Sequence, residues 1–125
     1  MAHRAIDCLI NVNLGDQKPP DWMVRVKEDY FKGGDSFFKS PELEELLDEM
    51  DEHGIERAIM TSKLGVEDDR AMRYAEKAPE RLSLAIGGLD LLRPMPSLRA
   101  LESVVRDHPV STVAVGPSFW GDGQY

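Results

Sequence analysis

Two asparagines, Asn11 and Asn13, close the first apolar run of the chain, while Lys63 follows the second run and Asp90 and Arg93 follow the third. Ser118, Phe119 and Trp120 follow the fourth. Amides, an ammonium, a guanidinium and a carboxylate at the ends of apolar runs suit recognition of a small polar ligand by hydrogen bonds and charge. Asn11, Asn13, Lys63, Asp90, Arg93 and Trp120 are therefore the expected substrate-binding residues. Other chemistry is sparse. Cys8 is the single cysteine, and one thiol cannot form an internal disulfide or a multi-thiolate zinc site. It is expected to face helices as a small apolar group. His3 lies at the start of the chain, and His53 and His108 fall at helix ends, where an imidazole satisfies a terminus. Gly33-Gly34 and Gly87-Gly88 lack a phosphate-cradling frame, and no Gly-x-Ser-x-Gly turn offers a nucleophile. Asp7 and Asp90 are the only carboxylates expected near strands, at opposite ends, so they do not form an acid-base pair. Neither a catalytic group nor a metal ligand set is expected.

These residues need elements to position them. Residues 5–12 read as a strand running into a loop, with Cys8, Ile10 and Val12 on one face and Asp7, Leu9, Asn11 and Asn13 on a more polar one. Residues 14–40 form a long connection with a helical stretch over 21–30, and such lengths in compact domains commonly serve as lids or binding loops. Its aromatics, Trp22, Tyr30, Phe31, Phe37 and Phe38, are expected to pin it to the body. Ser40-Pro41-Glu42 predicts a helix start capped by Ser40. Leu43, Leu46, Leu47 and Met50 then give one buried stripe, acidic residues take the outer face, and His53-Gly54 is the stop. The pattern repeats with a strand over 57–61 and a helix over 67–78 that turns Ala71, Tyr74, Ala75 and Ala78 inward. A strand over 82–89 follows. A helix over 96–108 is expected to turn Leu98, Leu101, Val104, Val105 and His108 inward, before a last strand over 110–115.

Alternating strands and helices predict right-handed crossover units, a parallel sheet and the α/β class. Ligands then gather at the C-terminal ends of the strands, which is what marks the residues above. Eight such units in ~250 residues average about 31 each, so four strands in 125 residues amount to half of a (β/α)8 barrel, a single partial domain over 1–125. Residues 116–125 read as an interior loop cut in mid-course. With 15 Lys+Arg against 23 Asp+Glu, the net charge is −8, which excludes a nucleic-acid backbone or an anionic membrane as the main partner. Hydrophobic residues at 42% and charged residues at 30% fit a packed globular domain. No run approaches the ~18 apolar residues of a membrane span, and the lone cysteine suits a cytoplasmic location.

Ala5-Ile6-Asp7 opens the first strand, and the leucine-rich helix ends Asp51-Glu52-His53-Gly54-Ile55-Glu56-Arg57-Ala58. Pro79-Glu80-Arg81-Leu82 precedes the third strand, and Val113-Ala114-Val115-Gly116-Pro117 marks the fourth. Together these words resemble the amidohydrolase-related barrel family, the metal-dependent hydrolases and aminocarboxymuconate-semialdehyde decarboxylase-like enzymes. The resemblance implies the N-terminal half of a hydrolase or decarboxylase that usually holds zinc or another divalent metal. Members follow Ile-Asp-x with His-x-His, two imidazoles on one metal. Here Leu9 and Asn11 hold those places: leucine cannot ligate, and a neutral amide is a poor zinc donor beside imidazole. The family's remaining metal and proton-transfer residues lie on its fifth and eighth strands, outside this sequence. No cofactor is expected in this segment, which alone is expected to be inactive. Its implied partners are the missing C-terminal half or a second copy, with a small-molecule substrate. Two other readings stand beside this one. The chain can be a non-catalytic binding or assembly module derived from the barrel, or a receiver-like signalling domain using Asp90, although amides instead of carboxylates end the strand that should hold Mg²⁺.

Overall fold

In the computed structural model, which describes residues 4–13, 18–32, 39–66 and 69–115, strands rich in Ile, Leu and Ala alternate with helices. The order is β1 (Ala5–Ile10), α1 (Asp21–Arg25) continuing into a π-helical segment (Val26–Phe31), α2 (Leu43–Glu52), β2 (Ile55–Lys63), α3 (Arg70–Lys77), β3 (Leu82–Gly87), α4 (Pro94–Asp107) and β4 (Val110–Val113). The four strands form one sheet in the order β1-β2-β3-β4, and every pair is parallel. The expected α/β architecture of parallel β-α repeats is present, consistent with a partial β/α repeat fold.

Alternation decides where the core sits. Ala58 and Met60 of β2, with Leu82, Leu84 and Ile86 of β3, form one buried cluster with Leu46 and Met50 of α2 and Ala71, Met72, Tyr74 and Ala75 of α3. Leu101 and Val104 of α4 pack against the same cluster. The helices α2, α3 and α4 therefore share one face of the sheet, as same-handed crossovers between consecutive neighbours require. Residues of the other parity, including Ile59 and Thr61 of β2 opposite Ser83 and Ala85 of β3, belong to a face on which none of these three helices packs. On that face the Ser111 hydroxyl donates to Ser83 Oγ at 2.6 Å.

Several local expectations change. On β1 the register places Asp7 opposite Ala58 and Ile10 opposite Met60, so three steps on β1 match two on β2. The extra residue is a bulge, and the period of two fails across it. Asp7 thus sits on the Ala58 side, its Oδ1 accepting from the Leu9 amide at 3.1 Å, and Cys8 is exposed instead of facing helices. Val12, beyond the bulge, is buried in the core as expected. Helix α2 starts at Leu43 with Glu42, not Ser40, in the capping position, where the Glu42 amide donates to Glu45 Oε2 at 3.4 Å. Pro41 is held outside the helix because its carbonyl accepts from the Tyr74 hydroxyl at 2.7 Å. The stop is as expected, with Gly54 at a left-handed φ of 69°.

Helix α3 starts three residues later than the expected position 67, because Asp69 caps it. On α4, Leu98 and Val105 are 52% and 49% exposed, so the inward set reduces to Leu101, Val104 and a half-buried His108. Its apolar stripe is wider than the core it meets. The connection's aromatics do not pin it down either: Trp22 and Tyr30 are 62% and 85% exposed. Phe37 and Phe38 lie outside the described residues. Among the described residues no helix is long and apolar enough to cross a membrane.

Candidate functional site

Because β1 and β2 are adjacent and parallel, their C-terminal ends lie side by side. A cleft of about 300 Å³ opens there, with Asn11 and Asn13 on the β1 side and Thr61, Ser62 and Lys63 on the β2 side. Lys18, Pro19, Pro20 and Met23 form a third wall, and Asp69 reaches it from the start of α3. The long connection thus contributes to the cleft through Lys18, Pro19, Pro20 and Met23, while its Trp22 and Tyr30 are exposed.

Asp69 organises the cleft. Its Oδ1 accepts from the Met72 amide at 2.8 Å, satisfying one of the orphan donors at the start of α3. Its Oδ2 accepts from the buried Ser62 hydroxyl at 2.6 Å and from Asn13 Nδ2 at 3.4 Å. Asn13 Nδ2 also donates to the Thr61 carbonyl at 3.3 Å. One carboxylate therefore ties the loop after β1, the end of β2 and the first turn of α3 together. Asn11 serves the same loop, its Oδ1 accepting from the Asn13 amide at 2.9 Å.

Two consequences follow for ligand chemistry. Both groups facing the Asn13 amide nitrogen are acceptors, so the orientation of the carboxamide is fixed by its partners. Its Oδ1 is then a buried acceptor with no partner among the described residues. The Lys63 ammonium has no carboxylate partner among the described residues, nor has that of Lys18.

Lys63 is held by its neighbour on β3. It lies opposite Gly87, and the Leu64 amide donates to the Gly87 carbonyl at 2.9 Å. Gly88 takes φ +75°, and a Cβ there would stand 3.0 Å from Lys63 Cβ. Gly88→Ala is therefore expected to cost about 1–2 kcal/mol through the left-handed backbone and to displace Lys63 as well. Urea denaturation reads the first effect. An unchanged unfolding midpoint would contradict it.

The cleft gathers Asn11, Asn13 and Lys63, but not Asp90 or Arg93. Asp90 shapes the turn into α4: its Oδ1 accepts from the Leu92 amide, and its own amide and carbonyl both bond the Ser97 hydroxyl, each at 3.0 Å. Arg93 occupies the capping position of α4, its amide donating to the Asp90 carbonyl at 3.1 Å, and its side chain is exposed. Trp120, with Ser118 and Phe119, lies outside the described residues. Asp69, not Asp90, is the carboxylate at the cleft. Its signal in the sequence is an aspartate directly before the periodic run of α3, a capping pattern hidden when the helix is read from 67.

Comparisons with protein-family models, with curated proteins and with solved structures return no match. What the cleft does must be argued from its own groups.

Those groups do not fit the zinc of the resembling family. Leu9 is apolar and 74% exposed, and Asn11 Oδ1 already accepts from the Asn13 amide. Among the described residues no group of three or more His, Cys, Asp or Glu side chains is placed to hold a metal ion. A larger hollow, about 430 Å³, lies at the N-terminal ends of the strands between Arg4, Glu56, Arg57 and Arg81. Several of its charges are satisfied internally: Arg81 reaches Asp51 at 2.8 Å and the Glu56 carbonyl at 2.7 Å, and Arg4 lies 3.8 Å from Glu56. The smaller cleft is the better ligand site, since it combines uncommitted charge with an unpaired acceptor.

Proposed function

We propose that the chain is the N-terminal portion of an amidohydrolase-like (β/α)8 barrel, a hydrolase or decarboxylase whose usual first-strand metal ligands are replaced. Its sheet is closed by the missing C-terminal half or by a second copy, and a small molecule binds at the C-terminal ends of its strands. The observation that carries this reading is the unbroken strand order β1-β2-β3-β4 with α2, α3 and α4 on one face. A barrel uses that arrangement, whereas a doubly wound receiver places its first strand between the second and third. Apolar exposure at both open sides agrees with closure: Ile6 and Leu9 flank the β1 edge, and Val113, Leu98 and Val105 lie along the β4 and α4 side. The exposed free thiol of Cys8 suits a reducing cytoplasm.

Light scattering of the purified 125-residue chain tests the closure. The expected mass is at least twice the 14.0 kDa of one chain, and a well-folded monomer would overturn the reading.

A second reading, a non-catalytic binding or assembly module derived from the barrel, is favoured by Leu9 and Asn11 standing where imidazoles would ligate. Zinc titration followed by dialysis tests this second reading. Less than one retained equivalent is expected of the module, and a full, tightly held equivalent would remove the case for it.

A further inference from the structure

We propose that the cleft between β1 and β2 binds a small polyol phosphate, its phosphate against the Lys63 and Lys18 ammoniums and a hydroxyl donating to Asn13 Oδ1. This rests on the reading that ligands gather at this end of the strands, and not on what closes the sheet.

Charge is the first argument. The chain carries a net charge of −8, yet this cleft presents two lysines with no carboxylate partner among the described residues. The one carboxylate lining the cleft among the described residues, Asp69, is engaged by the Met72 amide, the Ser62 hydroxyl and Asn13 Nδ2, so hydrogen bonds spread its charge and keep it in place. Among the described residues a ligand anion therefore meets two ammoniums without a carboxylate partner and one hydrogen-bonded carboxylate. The type of cation narrows the anion. Planar carboxylates are best matched by the fork of a guanidinium, and no arginine lines this cleft. Two compact ammoniums from separate segments suit a tetrahedral dianion approached from two sides.

The second argument is the orphaned acceptor. Asn13 Nδ2 has two protein acceptors, and the buried Oδ1, without a partner among the described residues, is left to take its hydrogen from a ligand or from water. Hydrogenphosphate carries a single hydroxyl, on the same phosphorus that the ammoniums hold, whereas a polyol phosphate brings further hydroxyls beyond its phosphate on the same molecule. A cleft of about 300 Å³ limits that molecule to a few carbons. Met23 and Pro19 supply an apolar wall for its carbon chain.

Calorimetric titration of the full chain with glycerol 3-phosphate tests this, with inorganic phosphate, glycerol and malate as comparison ligands. One site per chain is expected. Inorganic phosphate should bind at least tenfold more weakly because it lacks the hydroxyls and carbon chain beyond the phosphate, and glycerol should give no heat. Malate should also be weaker, since its carboxylates carry less charge at each contact. Lys63→Gln and Lys18→Gln, both exposed substitutions outside the core, should each weaken glycerol 3-phosphate at least tenfold while leaving the circular dichroism spectrum unchanged. Undetectable binding, wild-type affinity in both variants, or tighter binding of malate would overturn the assignment. If the chain proves monomeric and still binds glycerol 3-phosphate, the closure reading falls and the phosphate site stands.

Discussion

Asp69→Ala is expected to lower the free energy of unfolding by about 2–4 kcal/mol, a large effect for a side chain outside the apolar core. Two losses combine. The Met72 amide loses its capping acceptor, and removal of a cap costs about 0.5–2 kcal/mol. The Ser62 hydroxyl, in a residue only 9% exposed, loses its 2.6 Å partner, and an unpaired buried donor costs about 1–3 kcal/mol. Asn13 Nδ2 keeps the Thr61 carbonyl, so the third bond adds little. Urea denaturation at neutral pH provides the measurement. Ser62→Ala alone should cost about 1 kcal/mol, because it removes the stranded donor with the bond. The double variant should then fall short of the sum of the two singles by at least 0.5 kcal/mol, the usual size of coupling within one network. Strict additivity would show that the three segments are not tied through this carboxylate.

The second large effect concerns association instead of folding. Leu98→Lys with Val105→Lys is expected to weaken self-association at least a hundredfold, which corresponds to about 2.7 kcal/mol, as read by the concentration dependence of the scattering mass. Both positions are about half exposed on α4, on the side where a following β-α unit of a barrel would pack. Since neither belongs to the buried cluster, the stability of the dissociated chain should change by no more than about 0.5 kcal/mol. The contrast between the two variants is the point: one should unfold the chain more easily without touching the open side, and the other should do the reverse. An unchanged mass would show that α4 is not part of the closing contact.

The physics that made parts of this molecule legible in its sequence is local. Leu43, Leu46, Leu47 and Met50 repeat at helical spacing, Gly54 follows as a stop, and α2 obeys them because a helix needs only its own period and caps. The same holds for the inward face of α3 and for the parallel order of four strands. Failures occurred where a distant partner decides. The period of two on β1 breaks at Cys8 because its register is set by β2, some fifty residues away in sequence. Leu98 and Val105 match the stripe of α4, yet the core it meets is narrower than the stripe. Asn11, Asn13 and Lys63 line one cleft because adjacent parallel strands bring successive ends together. Asp90 was chosen by the same rule, but its side chain turns into the local loop. Asp69 has a local signal only for its capping bond to the Met72 amide; its bonds to Ser62 and Asn13 join segments that only the folded sheet brings within reach.

The strand order has a consequence for how the molecule is made. Each strand pairs with the one synthesised just before it, so the sheet can zip together from its N-terminal end as it leaves the ribosome, without any strand waiting for a partner two units downstream. The exception is the outer side of β1, which no strand among the described residues pairs and which keeps its edge free until something closes the sheet. During that interval it is the place where two nascent chains would stick to each other.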